Sequence, residues 1–168
     1  MTEDGTWHIW VDTGGTFTDC LARNPDGRIE RFKTLSSGRL RARFVAQQGR
    51  QVQLQLNTPI PPGFLHGAVM IRGKGQAILA NLHQDEDQVE ACEMEERLKA
   101  PLTPGEVVEI DFNEEAPILA AHLATRCRPG ETLPSICFHL ATTKSTNALL
   151  ERKGHRTAFL VTRGFGDL

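Results

Sequence analysis

The sequence predicts a mixed α/β (α+β) fold, a mixed sheet interrupted by an inserted β-rich section, and three observations predict it. The first 33 residues alternate polar and apolar around strong turn signals, as strands with one wet face do. Residues from about 41 to 113 carry further alternating or apolar runs with turns of their own. The final third changes to a helical period and then runs strand, helix, strand, an order that favours parallel strands and a crossover helix. At 168 residues the chain has room for one domain or two small ones and for a buried core. The predicted division is residues 1–40 plus 114–168 for the sheet-bearing lobe and 41–113 for the inserted β-rich subdomain.

In order along the chain, WHIWVD is the first strand and, after Gly14-Gly15, TFTDCLAR is the second. Asn24-Pro25-Asp26-Gly27 is turn chemistry, because proline fixes one position and glycine accepts positive φ; RIERFK then makes a third strand and completes an antiparallel meander. After the loop LSSG, QVQLQL alternates at a period of two. AVMIRG, QAILANL and EVVEIDF are further strand candidates, separated by PIPPG, by GKG and by the acidic segment DEDQVEACEMEERLKA. That segment predicts a short helix, with Asp87 and Glu90 placed as a capping box. Pro117 suits a first helical turn, and Ile118, Leu119, His122 and Leu123 share a face of a helix that should stop near Pro129-Gly130. His122 on that face reads as a core or boundary residue rather than a ligand, and Glu114 and Glu115 as companions of the helix dipole. SICFHL is the next strand, TTKSTNALLERK a helix closed by Gly154, and TAFLVTRGF another buried strand.

Several function classes fall away at this level. Nineteen basic and 21 acidic residues give a net charge of -2 with no dominant patch, so nothing advertises a nucleic-acid partner. Arg39, Arg41 and Arg43 alternate with apolar residues, the pattern of a solvated strand face. No apolar run approaches the roughly 20 residues of a membrane span, and the acidic start MTEDG is unlike a secretory signal, so a cytoplasmic setting is expected. Cys20, Cys92, Cys127 and Cys137 show neither C-x-x-C pairing nor a nearby histidine at the usual zinc spacing, and read as reduced, mostly buried thiols.

The chemistry concentrates in VDTGGTFTD, Val11 to Asp19. Gly14 and Gly15 leave no side chain in the way, so backbone N–H groups can converge on an anion. Thr16 and Thr18 add hydroxyl donors two residues apart. Asp12 and Asp19 repel phosphate and make sense if a Mg²⁺ ion or its waters lie between. A plain Gly-Gly hairpin with β-forming threonines and turn-capping aspartates explains the same residues without a ligand, and the spacing leaves both readings open. The stretch is neither G-x-x-x-x-G-K-[ST] nor G-x-G-x-x-G.

A D-x-G-G-T-x-T-D hairpin feeding a three-stranded meander resembles the first phosphate loop of the actin, sugar-kinase and Hsp70 superfamily, which is built on a ribonuclease-H-like fold. At the other end, ATTKSTNALLERKGHRTAFLVTRGFGDL, Ala141 to Leu168, resembles the N-terminal region of the hydantoinase and 5-oxoprolinase family. The resemblance implies a ribonuclease-H-like, actin-like ATPase lobe in an enzyme that opens a cyclic amide at the expense of ATP, with Mg²⁺ and often K⁺. An unstrained lactam resists water, and transferring the γ-phosphoryl group to its amide oxygen makes a better electrophile. Carried over by position, Gly14, Gly15, Thr16 and Thr18 would hold nucleotide phosphates, and Asp12 and Asp19 would order the metal. Thr142, Thr143, Thr146 and Asn147 would face the same cleft from a strand-to-helix junction; helix capping is their bland alternative. The implied partners are the cyclic amide, later lobes of the same chain and a hydantoinase B-like region or subunit.

Two departures stand out. Where the family has His-Gly before the threonines this sequence has Leu140-Ala141, with His139 one residue earlier and so on the opposite strand face. The stretch of about 70 residues between meander and helix has no counterpart in the pattern. No second glycine-rich phosphate loop occurs before Leu168, so the expectation is an N-terminal fragment with little ATP affinity and no turnover of its own. The other expectation to weigh is a non-catalytic scaffold or partner-binding domain with a relic phosphate hairpin. A sugar- or acid-kinase lobe is a third, which the C-terminal run disfavours.

Overall fold

The computed structural model describes residues 5–73, 75–84, 89–94, 101–152, 156, 158 and 160–163. Three strands open the chain, β1 (Trp7–Thr13), β2 (Phe17–Arg23) and β3 (Ile29–Leu35), paired antiparallel as the alternation requires. Six more follow: β4 (Arg39–Gln48), β5 (Gln51–Leu56), β6 (Val69–Arg72), β7 (Gly75–Gln84), β8 (Val89–Met94) and β9 (Val107–Asp111). Helix α1 (Ala116–Thr125), strand β10 (Ile136–Thr142) and helix α2 (Lys144–Leu150) complete the described elements.

The strands form two systems. β10-β1-β2-β3 is an open mixed sheet in which β10 runs parallel to β1. β4-β5-β8-β7-β6-β9 is a closed barrel with every pairing antiparallel. Register shifts in β4 between Phe44 and Ala46 and in β7 between Asn81 and His83 supply the extra bend that closing so few strands demands.

Period-two patterning fills the barrel. Leu40, Ala42 and Phe44 of β4 point inward with Val52, Leu54 and Leu56 of β5, Met70 of β6, Leu79 of β7 and Met94 of β8. Phe64 and Leu65, from the turn between β5 and β6, are fully buried and plug the interior, with Phe64 edge-on to Phe112 at 5.4 Å.

Helix α1 is the wedge between the systems. Leu119 and Leu123 belong to the barrel core, whereas Ala120, Ala121 and Ala124 pack with Ile9, Val11, Cys20 and Ala22 of the sheet. Small residues on the sheet side let the helix approach closely, and leucines on the other side reach the barrel. Burial on two sides explains why the predicted single face is too narrow, although Ile118 is exposed. Pro117 does sit in the first turn; the helix stops at Thr125, short of Pro129-Gly130, because Arg126 turns left-handed at φ 59°. His122 is buried as expected, but its Nδ1 has no hydrogen-bond partner among the described residues.

Two sequence expectations are overturned. The acidic segment predicted as a helix contains β8, a strand paired on both sides, with β5 and β7. Asp87 lies outside the described residues, and Glu90 sits in the ladder opposite Leu54 rather than at a helix start. Cys92 and Met94, two apart and fully buried, show the reason: closing the barrel requires a strand there, and tertiary pairing overrides the helical propensity of a Glu-rich run. In the predicted strand TAFLVTRGF, the described residues 158 and 160–163 are not in a strand, and Leu160 is 94% exposed. They find no ladder partner among the described residues, and Thr157, Phe159 and residues 164–168 lie outside them, as does Gly154. Conversely, β4 is a strand that the arginine alternation signalled only as a wet face. Arg41 and Arg43 are exposed as expected, while Arg39 is held by Glu109 at 2.9 Å and Asp111 at 2.8 Å.

Candidate functional site

The glycine pair joins β1 to β2 in a tight hairpin closed by Gly14 N–H donating to the Phe17 carbonyl at 3.0 Å. Ser36, read in the sequence only as loop, staples it from outside. Its amide donates to the Thr16 carbonyl at 2.9 Å, its hydroxyl donates to the Gly14 carbonyl at 2.9 Å, and its Oγ lies 3.1 Å from Oγ1 of Thr18. With two carbonyls of the turn engaged, the hairpin is held in one shape.

The C-terminal motif meets this hairpin. Register pairing of β1 with β10 sets Thr13 beside Thr142, and the Thr143 amide donates to the Thr13 carbonyl at 3.3 Å. A side chain at Gly15 would begin 3.7 Å from Nδ2 of Asn147, so Gly15 leaves space directly in front of that amide. Asn147 Nδ2 in turn donates to Oγ1 of Thr143 at 3.3 Å. Gly14, Gly15, Ser36, Ser37, Thr142 and Asn147 share the wall of one cavity of about 740 Å³.

The remaining predicted residues are placed elsewhere. Thr18 is fully buried under the turn, its hydroxyl committed to Ser36, and Thr16 is exposed at the tip. Thr143 is the N-cap of α2 without a side-chain cap bond. Thr146 is exposed. Asp12 and Asp19 face each other across the β1–β2 ladder on the open side of the sheet, in a different depression of about 630 Å³ with Trp10, Arg31 and His139. Asp19 Oδ1 lies 3.3 Å from Lys33 Nζ. Leu140, standing where the family pattern has histidine, borders both depressions.

Electrostatics of the hairpin cavity are one-sided. Asp111, Glu114, Glu115 and Glu151 contribute carboxylates, and no Lys or Arg occurs among its described lining residues. The Asp111 carboxylate is tied to Arg39 and accepts from the Asn113 amide at 2.8 Å, and Glu114 and Glu115 line the same space. A bare phosphate is repelled there; one carrying a divalent cation is not. The acidic half of this wall went unrecognised because Glu114 and Glu115 were assigned to the helix dipole alone.

Cysteine usage also differs in part from the expectation of mostly buried thiols. Cys20 and Cys92 are buried, but Cys127 and Cys137 are only partly so, and Cys137 Sγ is 3.4 Å from Nε2 of His139. All four are free. Burial pushes the Cys20 thiol up to about 12.

Against this geometry, the comparison with protein families finds residues 119–168 similar to the hydantoinase/oxoprolinase N-terminal region, a match that spans the last 50 of the 168 residues. The matched span begins in α1 and takes in β10, α2, Thr142, Thr143 and Asn147; it does not include the glycine hairpin. The family is one of cyclic-amide hydrolases. No solved structure matches the chain. No helix among the described residues is long and apolar enough to cross a membrane.

Proposed function

We propose that the chain is the N-terminal part of an ATP-dependent cyclic-amide hydrolase of the 5-oxoprolinase or hydantoinase type, and that its hairpin cavity takes the phosphates of Mg-ATP. The observation that carries this reading is the meeting of two segments about 130 residues apart: the Gly14-Gly15 turn and the Thr142–Asn147 stretch. The hairpin offers glycine backbone with no side chain in the way, its Gly14 N–H closing the turn onto Phe17, Thr16 stands at the exposed tip, and Thr142 and Asn147 supply the opposite wall. Glu114 and Glu115 favour a phosphate that arrives with Mg²⁺, whereas Asp12 and Asp19 line the other depression and take no part in this cavity. Thr18 contributes by fixing the turn through Ser36. In the actin-like arrangement implied by the hairpin, the lactam's carbonyl oxygen attacks the γ-phosphorus and ADP leaves. Water then adds to the activated carbon, the ring C–N bond breaks to leave a free amine and an acyl phosphate, and a second water hydrolyses that acyl phosphate to carboxylate and phosphate. Residues that contact the lactam, the K⁺ site and the hydantoinase B-like partner belong to other parts of such an enzyme. Leu140-Ala141 in place of His-Gly favours a second reading, a partner-binding domain whose hairpin no longer serves turnover.

The test is a nuclear magnetic resonance titration of the 168-residue chain with ATP, with and without Mg²⁺. Weak, Mg²⁺-dependent binding is expected, with shifts centred on the amides of Gly14, Gly15, Thr142 and Asn147 and lost in Gly15→Val. Shifts centred elsewhere, or equal binding without Mg²⁺, would overturn the assignment of the cavity. In a protein containing this region, 5-oxoproline- or hydantoin-stimulated release of ADP, absent in Thr16→Ala, separates the enzyme from the scaffold.

A further inference from the structure

On the open face of the four-stranded sheet, the β1–β10 ladder builds a square of four side chains. His8 is the register partner of Cys137, and Trp10 is the register partner of His139. Because side chains two apart on a strand share a face, all four stand on the same side. The ligand atoms of His8, Cys137 and His139 all lie within 4.8 Å of one another, and the Cys137 Sγ to His139 Nε2 distance is 3.4 Å. Trp10 fixes both imidazoles: its ring is stacked on His139 at 5.4 Å and 7°, and on His8 at 5.9 Å and 21°. The Arg23 guanidinium lies over the Trp10 ring at 5.9 Å.

We propose that His8, Cys137 and His139 form a three-ligand site for a zinc-class transition metal ion, with the fourth position open to solvent or to an exogenous ligand. One thiolate and two imidazoles are borderline-soft donors that suit Zn²⁺ or Co²⁺ and discriminate against Mg²⁺ and Ca²⁺, which require oxygen. In a tetrahedral site with metal–nitrogen bonds of about 2.0 Å and metal–sulfur bonds of about 2.3 Å, neighbouring donors stand roughly 3.3–3.6 Å apart. The Cys137–His139 pair already has that separation, and the His8 ligand atom lies within 4.8 Å of both. Ligands on paired strands, with rings locked by an indole, are positioned by the ladder rather than by a loop, so little ordering entropy is lost on binding. Binding releases the Cys137 thiol proton to solvent. The site does not depend on the nucleotide reading: it uses none of the hairpin residues and lies on the other face of the sheet.

The experiment is titration of the reduced 168-residue chain with Co²⁺, followed in the near-ultraviolet and visible. The expected result is one equivalent of four-coordinate Co²⁺ with a thiolate charge-transfer band, bleached by Zn²⁺ and unaffected by excess Mg²⁺. Cys137→Ser should abolish the charge-transfer band, and His139→Gln or His8→Gln should weaken binding at least tenfold, while Cys127→Ser should change nothing. A parallel measurement needs no variant: Zn²⁺ should protect Cys137, and not Cys127, from iodoacetamide as read by peptide mass spectrometry. Absence of the band in the wild-type chain, its persistence in Cys137→Ser, or alkylation of Cys137 at the same rate with Zn²⁺ each overturns the proposal.

Discussion

The barrel and the open sheet are made of similar short strands, yet one closes on itself and the other leaves a face bare. In the barrel every strand has two neighbours, and large side chains such as Leu54, Met70, Leu79 and Ile110 are buried in its interior. In the sheet the covered face rests on Ile9, Val11, Cys20 and Ala22 against three alanines of α1, and the other face shows Trp10, Phe17, Asp12, Asp19 and His139 to solvent. Apolar volume and closure supply stability in the first; exposed polar and aromatic groups on a ladder supply chemistry in the second. Both proposed sites lie on or beside the sheet, and neither uses the barrel interior.

The contrast breaks most sharply at Phe64, the fully buried plug of the barrel. Phe64→Ala removes a buried ring and its edge contact with Phe112, and should cost about 4 kcal/mol in urea or thermal unfolding. The analogous truncation on the open face, Trp10→Ala, should cost under about 1 kcal/mol, because Trp10 is 37% exposed and its partners are rings at the surface. Equal losses at the two positions would mean that the open face is not bare in solution.

A second, smaller break falls where the two systems join. Gly38 ends the turn after β3 at φ +75°, and a β-carbon there would stand 2.0 Å from the carbonyl oxygen of Glu114. Since that oxygen belongs to the backbone leading into α1, it cannot swing away, and Gly38→Ala combines left-handed strain with a forced shift of the helix start. Destabilisation of about 3 kcal/mol is expected from denaturant titration, with Mg-ATP shifts at the hairpin cavity lost together with it, because Glu114 and Ser36 both line that cavity. Gly27→Ala, at φ +86° but with nothing within 4 Å, isolates the strain alone and should cost about 1 kcal/mol.

How much of this was legible in the sequence follows the same division. Strands whose partner is the next strand, β1 to β3, were readable from alternation and from Asn24-Pro25-Asp26-Gly27, because the turn fixes the register. β8 was not, since its helix-like Glu-rich pattern is overruled by pairing with strands that are remote in sequence or reached through a bulge. In the candidate site, the hairpin and the Thr142–Asn147 stretch were recognisable by residue type, but their meeting depends on the parallel register of β1 and β10. The same register was decisive in two further ways. Strand parity sends Asp12 and Asp19 to the open face, away from the cavity that the glycines line, and it brings His8 to Cys137 across 129 positions, a pairing no local zinc spacing encodes.

The smallest effect separates the sheet's core from the barrel's by proton linkage. Cys20, on β2, is buried under α1, and burial raises its thiol from 9.0 to about 12, so the folded sheet holds that proton more tightly than the unfolded chain does. Its contribution is therefore intact below pH about 9 and is lost progressively as pH rises from 9 toward 12, where the unfolded chain gains by ionising and the folded one cannot follow. Raising the pH from 9 to 10 should lower stability by about 1 kcal/mol, measured as the shift in urea midpoint at constant ionic strength. Cys20→Ala removes this component, so the variant's midpoint should fall less over the same interval. If wild type and variant fall in parallel, Cys20 ionises in place, and the thin alanine-lined core between sheet and helix admits water that the barrel excludes.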